Sequence, residues 1–90
     1  MYDVIFTPTA EKDFKNLDYD VQNRILKKVE YIASYPQLLD KPLKHLPEDL
    51  KGLNRYKVGD YRLLYWVYHN EKKIKIYGIE HRSKKYRKLR

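Results

Sequence analysis

Three basic residues surround a two-residue turn signal in the C-terminal half of the chain. Arg55 and Lys57 are two positions apart and precede the dipeptide Gly59-Asp60. Arg62 follows it. Glycine in the first position of a two-residue loop is typical of a type II′ hairpin turn. With this turn, Lys57 is opposite Arg62, and Arg55 lies on the same face because side chains alternate along a strand.

The two faces of this predicted hairpin differ in chemistry. Cations on one face repel one another, and such a cluster persists more readily where an anion binds. Arginine suits phosphate because its planar guanidinium forms two parallel hydrogen bonds. The alternative is that Arg55 and Lys57 are only the solvated side of a half-exposed hairpin. We expect the opposite face to pack on helices, and it carries Tyr56, Val58, Tyr61, Leu63, Tyr65 and Val67.

A histidine follows the third predicted strand of this region. If residues 70 and 71 also form a two-residue turn, Arg62 is opposite Ile79, and His81 lies on the basic face with them. An imidazole titrates near neutral pH and can donate or accept a proton there. A register slip of one residue would move His81 to the other face. A structural or surface histidine is the alternative interpretation.

The N-terminal half must supply the helices. Alternating residues at positions 2–7 predict a first strand. Thr7 is typical of a helix N-cap, since proline follows it at the first helical position. Asp18 is a second N-cap candidate, before an apolar stripe at helical spacing. We expect that helix to end at about Ser34, because Pro36 disfavours helix in the residue before it.

The remaining elements are predicted to be strands. Residues 36–52 look irregular, with three prolines and Gly52. Apolar and aromatic patterns predict strands at 53–58, 61–68 and 73–79, followed by a short basic tail or one to two helical turns. The order β-α-α-β-β-β predicts an α+β fold and a single domain over residues 1–90. In it, a small twisted antiparallel sheet packs on an N-terminal helical hairpin.

Composition excludes several classes of protein. The chain has 90 residues, a formal net charge of +8 and no cysteine. A disulfide scaffold and a thiolate metal site are therefore excluded. No apolar run is long enough to span a membrane, and the first residues lack the pattern of a signal peptide. We expect a cytoplasmic protein with no membrane partner.

The positive charge is concentrated in the C-terminal half. Residues 1–50 hold 7 Lys and Arg against 9 Asp and Glu, whereas residues 51–90 hold 13 against 3. This asymmetry predicts a polyanion site, with nucleic acid the leading candidate. A lysine-rich solvated surface is the alternative. A basic membrane-surface patch is disfavoured, because these residues do not lie on one long amphipathic helix.

Several segments resemble the RelE/ParE toxin superfamily. Residues 55–65, RYKVGDYRLLY, resemble its signature. Residues 41–46, KPLKHL, are similar to its segment before the sheet, and residues 79–82 and 86–87 are similar to its C-terminal motif. The resemblance implies a toxin of a type II toxin–antitoxin system with the fold predicted above. It also implies a cognate acidic antitoxin protein as partner.

The resemblance also implies an activity and the residues for it. RelE-like members are ribosome-dependent endoribonucleases that cut mRNA and inhibit translation by attack of the internal 2′-hydroxyl, with no metal or other cofactor. Arg62 matches the phosphate-binding arginine. Arg55 and Lys57 match two basic positions on the preceding strand. His81 matches the histidine that transfers protons in YoeB-like members.

The resemblance assigns binding roles to the C-terminal residues. Tyr86 matches a tyrosine that orients the substrate or stacks on a base, a common use of an exposed ring on RNA. Other C-terminal cations would bind RNA and the ribosome through backbone phosphates: Arg82, Lys84, Lys85 and Arg87.

The chain departs from both nuclease patterns. Lys41 stands where YoeB-like members have a glutamate base, and Arg55 stands where RelE-like members commonly have lysine. Arginine stays protonated and is a poor base. RelE-like members have an arginine that acts as the acid shortly before the final tyrosine. In this chain, Glu80 or His81 stands near the matching position. Two alternatives therefore stay open: a ParE-like inhibitor of DNA gyrase, and a catalytically weak homologue that only binds nucleic acid.

Overall fold

The computed structural model describes residues 1–83 of the chain. Helices and strands follow one another there in the predicted order, with one additional short helix, α3. The elements are β1 (Asp3–Phe6), α1 (Pro8–Lys15), α2 (Tyr19–Ser34), α3 (Pro36–Leu39), β2 (Asn54–Val58), β3 (Tyr61–Tyr68) and β4 (Lys73–His81). The α+β class is confirmed. Of the predicted tail, residues 83–90, only Ser83 lies within the described residues.

The helix boundaries agree with the capping signals in the sequence. The Thr7 hydroxyl accepts a hydrogen bond from the Ala10 amide at 3.1 Å, as expected of an N-cap. Asp18 occupies the N-cap position of α2, although its side chain makes no capping hydrogen bond. Helix α2 ends at Ser34, two residues before Pro36.

The sheet contains four strands in the order β1-β4-β3-β2. Strands β2, β3 and β4 are antiparallel neighbours, as predicted. Strand β1 differs from the prediction, because it pairs with β4 in parallel, from Asp3 opposite Lys73 to Phe6 opposite Ile76. The alternating pattern identifies a strand but carries no information about the direction of its partner.

The main core lies between the sheet and the helices. Its buried residues are Ala10, Ile25, Val29, Ile32, Ala33, Val58, Leu63, Tyr65, Ile74, Ile76 and Ile79. Tyr56, Tyr61 and Val67 pack against this cluster, so the predicted apolar face of the β2–β3 hairpin is confirmed.

A second cluster covers part of the other face, which we call the outer face of the sheet. Leu50, Leu53 and Leu64 are its buried members, and Trp66 and Tyr77 pack against them. Leu50 ends the 3₁₀ turn Glu48–Leu50, in the segment predicted to be irregular. No helix within residues 1–83 combines the length and apolar composition needed to cross a membrane.

Candidate nucleic-acid-binding and catalytic site

The β2–β3 hairpin has the predicted register. Lys57 pairs with Arg62 across the Gly59-Asp60 turn, and Arg55 follows on the same face by alternation. Gly59 has a φ of 59°, as the first central position of a type II′ turn requires. The outer face therefore carries three cations near one end of the sheet. Arg55 and Lys57 are exposed, whereas Arg62 is half-buried.

The β3–β4 hairpin departs from the expected register through a β-bulge. It begins as predicted, and Tyr65 pairs with Ile76. The next pair is Leu64 with Gly78, so Tyr77 is the additional residue on β4. From this point the pairing is shifted by one position.

The shift places Glu80, rather than Ile79, directly opposite Arg62. The carboxylate of Glu80 is thus on the same face as the cations. The sequence pattern alone does not identify this position, because uninterrupted alternation along β4 predicts Ile79 there. A glycine inside a strand is the one signal that could have located the bulge.

His81 does not lie on the basic face, and that prediction is wrong. His81 is opposite Tyr61, and the two rings meet edge to face with centroids 5.0 Å apart. Tyr61 packs against the main core, so His81 lies on the helix side of the sheet. The cause is the bulge, because a one-residue shift reverses the side-chain alternation beyond it.

Hydrogen bonds define the tautomer of His81. The backbone N–H of Ser83 donates to Nδ1 at 3.1 Å, and the Ser83 hydroxyl lies 2.8 Å from the same nitrogen. A backbone N–H only donates, so Nδ1 is the acceptor and the proton of the neutral ring is on Nε2. His81 therefore presents an N–H donor at the end of β4.

Arg82 lies beside the turn of the basic hairpin. Its backbone N–H donates to the Asp60 carbonyl at 2.7 Å, and its Nε is 3.5 Å from Oδ1 of Asp60. Arg82 therefore contributes a cation near Lys57 and Arg62. The other predicted RNA-binding residues lie outside the described residues: Lys84, Lys85, Tyr86 and Arg87.

Tyr77, on the outer face, has a phenol with a raised pKa. Burial raises the pKa of Tyr77, and the negative charges of Asp49 and Glu80 raise it further. The phenol therefore stays protonated and could donate a hydrogen bond on this face. In the described part of the chain, no group of three or more His, Asp or Glu side chains could hold a metal ion.

Comparison with known proteins identifies the family. The family described as "ParE toxin of type II toxin-antitoxin system, parDE" matches residues 4–86. The protein named toxin RelE from Mycobacterium tuberculosis (strain ATCC 25618 / H37Rv) is 32% identical over 87 residues, which cover 96% of this chain and 87% of that protein. The chain belongs to the RelE/ParE superfamily of toxins. It is a RelE-family toxin of the type II toxin–antitoxin class.

Solved RelE/ParE toxins share the fold. The RelBE2 toxin–antitoxin complex of M. tuberculosis contains a chain with a TM-score of 0.77 and 28% identity, over 90% of this toxin and 98% of that chain. The archaeal RelE–RelB complex from Pyrococcus horikoshii OT3 gives 0.72 and 28%, over 92% and 97%. Isolated E. coli RelE gives 0.76 at 19% identity, over 96% and 89%, and supports the fold alone.

The candidate site of this RelE/ParE toxin contains cations, a carboxylate and a nearby imidazole. Arg55, Lys57 and Arg62 can hold a phosphate on the outer face. The carboxylate of Glu80 lies among them, whereas His81 lies at the same end of the sheet with its ring on the helix side. Lys41, which departs from the YoeB-like pattern, is exposed in the loop between α3 and β2.

Proposed function

We propose that this toxin is a ribosome-dependent endoribonuclease that cuts mRNA and thereby inhibits translation. The observation that carries the proposal is the pairing of Lys57 with Arg62, with Arg55 on the same face. This cluster offers a phosphate group charge-assisted hydrogen bonds from one direction. Membership of the RelE family supports the assignment of the activity.

The cations would stabilise the charge that develops on the scissile phosphate. The internal 2′-oxygen attacks phosphorus, and negative charge increases on the non-bridging oxygens. Arg62 donates to these oxygens and is already oriented by its position within the strand. Arg55 and Lys57 add positive charge, and Arg55 keeps it at every physiological pH.

Cleavage of the phosphodiester requires two proton transfers, one from the attacking 2′-hydroxyl and one to the leaving 5′-oxygen. The 2′-hydroxyl gives its proton to a base as the oxygen attacks, and Glu80 is assigned this role because it is a carboxylate opposite Arg62. The leaving 5′-oxygen takes a proton from the imidazolium form of His81, which thereby returns to the neutral ring. The products are a 2′,3′-cyclic phosphate and a 5′-hydroxyl, and no metal or cofactor takes part.

The proposal includes macromolecular partners and a location. The ribosome with its mRNA is the substrate complex, and its phosphates suit a chain with a net charge of +8. A cognate acidic antitoxin is the second partner, supported by related toxins solved with RelB and YefM. Because the proposed substrate is the translating ribosome, we expect the toxin to act in the cytoplasm.

Cleavage of mRNA on programmed ribosomes tests the proposed function. Purified wild-type toxin should cut, and Arg62→Ala should lose about 100-fold in rate or more, as expected for removal of one transition-state donor. His81→Ala should lose most activity as well. Lys12→Ala removes an exposed cation from α1 and should cut like the wild type. Equal cutting by Arg62→Ala would overturn the assignment.

Inhibition of DNA gyrase is the second candidate, favoured by the match to the ParE family over residues 4–86. A supercoiling assay with purified gyrase separates the two activities. Inhibition of supercoiling together with intact mRNA on ribosomes would support the gyrase candidate. Salt-dependent RNA binding with neither activity would identify a homologue that only binds nucleic acid.

A further inference from the structure

The β-bulge in β4 decides which side chains share a face with Arg62. Continued without a bulge, the register that pairs Tyr68 with Lys73 would place Ile79 opposite Arg62. Instead Ile79 is 6% exposed in the main core, and Glu80 occupies the outer face. The composition of the candidate site thus depends on this one local irregularity.

Two side chains from the N-terminal part of the chain hold the bulge. The Thr7 hydroxyl, at the start of α1, donates to the carbonyl oxygen of Tyr77 at 3.0 Å. The Asp13 carboxylate, in α1, accepts from the backbone N–H of Ile79 at 3.0 Å. These two contacts flank Gly78 and satisfy backbone groups on either side of it.

Gly78 permits the close approach of α1. A Cβ at this position would lie 3.3 Å from Oδ2 of Asp13. Such a distance is tighter than ordinary van der Waals contact. The backbone of Gly78 does not have a positive φ, so the requirement for glycine here is space rather than conformation.

We infer that Asp13 is a positioning residue of the nuclease site. Its carboxylate holds the bulge that places Glu80 opposite Arg62 and His81 against Tyr61. Asp13 lies on the helix side of the sheet and acts through the backbone of β4. The inference rests on the proposed function for its consequence in catalysis, whereas the effect on register is a property of the free toxin.

Loss of this contact has a defined structural consequence. A slip of one residue beyond Tyr77 would move Ile79 to the outer face and turn Glu80 toward the helix side, where burial of a carboxylate is unfavourable. The part of β4 after the bulge would therefore no longer pair with β3 in one defined register. Arg62 would keep its own strand position but lose the carboxylate opposite it.

Asp13→Ala and Asp13→Asn form the decisive pair of variants. Alanine removes the acceptor, whereas the asparagine side chain keeps a carbonyl oxygen that can accept from Ile79. Asp13→Ala should raise the exchange rate of the Ile79 amide about tenfold, which corresponds to one lost hydrogen bond. It should also remove the NMR cross-peaks between the Tyr61 and His81 rings. Asp13→Asn should retain both features, and so should Glu11→Ala, an exposed acidic position on the same helix.

Kinetics on ribosomes separate positioning from substrate binding. Asp13→Ala should lower kcat about tenfold or more without raising KM, and Asp13→Asn should restore kcat. Unchanged ring contacts and unchanged Ile79 exchange in Asp13→Ala would overturn the inference. Wild-type kcat in a variant that has lost these contacts would overturn the positioning role. If the wild type does not cleave RNA, the proposed function fails, and the exchange experiment still decides the register.

Gly78→Ala is the second variant, for use where Asp13→Ala does not fold. It leaves Asp13 unchanged and adds a methyl group next to its carboxylate. The Ile79 amide should again lose about tenfold protection. Full protection of this amide in Gly78→Ala would show that the bulge does not depend on the close approach of Asp13.

Discussion

Arg62 on β3 lies directly opposite Glu80 on β4, and both side chains are on the outer face of the sheet. Directly opposed residues of antiparallel strands have Cβ atoms about 5 Å apart. The cation assigned to the phosphate thus has a carboxylate as its neighbour. A phosphate that binds Arg62 must approach against that negative charge.

Glu80→Gln should separate binding from catalysis. We expect the Kd of a short single-stranded RNA to fall about fivefold, because two unit charges 4 Å apart in water interact by roughly 1 kcal/mol. Cleavage should slow by about 100-fold, since glutamine cannot accept the proton of the 2′-hydroxyl. Glu71→Gln removes the same charge from the exposed turn at the other end of the sheet and serves as the matched control. Weaker RNA binding by Glu80→Gln would contradict this account.

Leu63 and Leu64 allow the two hydrophobic clusters to be probed separately. Both side chains are fully buried, Leu63 in the main core and Leu64 in the second cluster. Each substitution by alanine should lower the free energy of unfolding by about 2–5 kcal/mol. Trp66 is the single tryptophan and packs in the second cluster. Its native-state fluorescence should therefore shift to the red in Leu64→Ala and stay unchanged in Leu63→Ala, and the reverse pattern would contradict the assignment.

Tyr65 should make the fold sensitive to alkaline pH. Burial, then the charges of Asp40 and Tyr56, raise the pKa of its phenol from 10.0 to about 12. A raised folded-state pKa contributes stability that is present below about pH 10 and lost as pH rises through 12. The wild type should therefore lose on the order of 2 kcal/mol from this group over that range.

Tyr65→Phe tests this pH dependence by urea unfolding. At pH 7 the variant should be less stable by about 1 kcal/mol, because the hydroxyl donates to the Leu39 carbonyl at 2.9 Å. The difference in the free energy of unfolding between the wild type and Tyr65→Phe should narrow or reverse by pH 11. Other titrating groups affect both proteins equally and therefore cancel in this difference. A difference in the free energy of unfolding that stays constant from pH 7 to pH 11 would contradict a raised pKa of the Tyr65 phenol.

Asp40 should contribute to stability through two hydrogen bonds. Its Oδ2 lies 2.8 Å from Nε2 of His69, and its Oδ1 accepts from Nδ2 of Asn54 at 3.0 Å. Asn54 is 1% exposed, so removal of its acceptor leaves a buried donor with poorer partners. Asp40→Ala should lower the free energy of unfolding by about 1–3 kcal/mol in urea titrations. Glu48→Ala, at an exposed position, should have no measurable effect and provides the comparison.

The features that sequence predicted well depend on neighbours within a few positions. Thr7 and Pro36 mark helix boundaries through local backbone sterics and hydrogen bonding, and Gly59-Asp60 determines the register of the β2–β3 hairpin. The basic cluster followed directly from that register. These signals operate within a single turn or helix end, and a short window of sequence therefore contains them.

The features that sequence missed depend on contacts between distant parts of the chain. Asp13 and Ile79 are 66 positions apart, and Thr7 and Tyr77 are 70 apart. The bulge they hold decides the faces of Glu80 and His81, and alternation alone placed His81 incorrectly. The second cluster and the parallel pairing of β1 with β4 likewise depend on contacts between segments that are distant in the sequence. Among the predicted site residues, the three on the β2–β3 hairpin were located correctly because a tight turn connects their strands.

The parallel pairing of β1 with β4 has a consequence for synthesis of the protein. Val4 pairs with Ile74 and Phe6 with Ile76, so the first strand has no partner until the last strand has emerged from the ribosome that makes it. Contacts of such wide sequence separation slow folding, because a long loop must close before they form. A nascent chain without β4 also lacks the carboxylate opposite Arg62. During translation of its own message, the chain therefore cannot complete its sheet or the proposed site until β4 has been made.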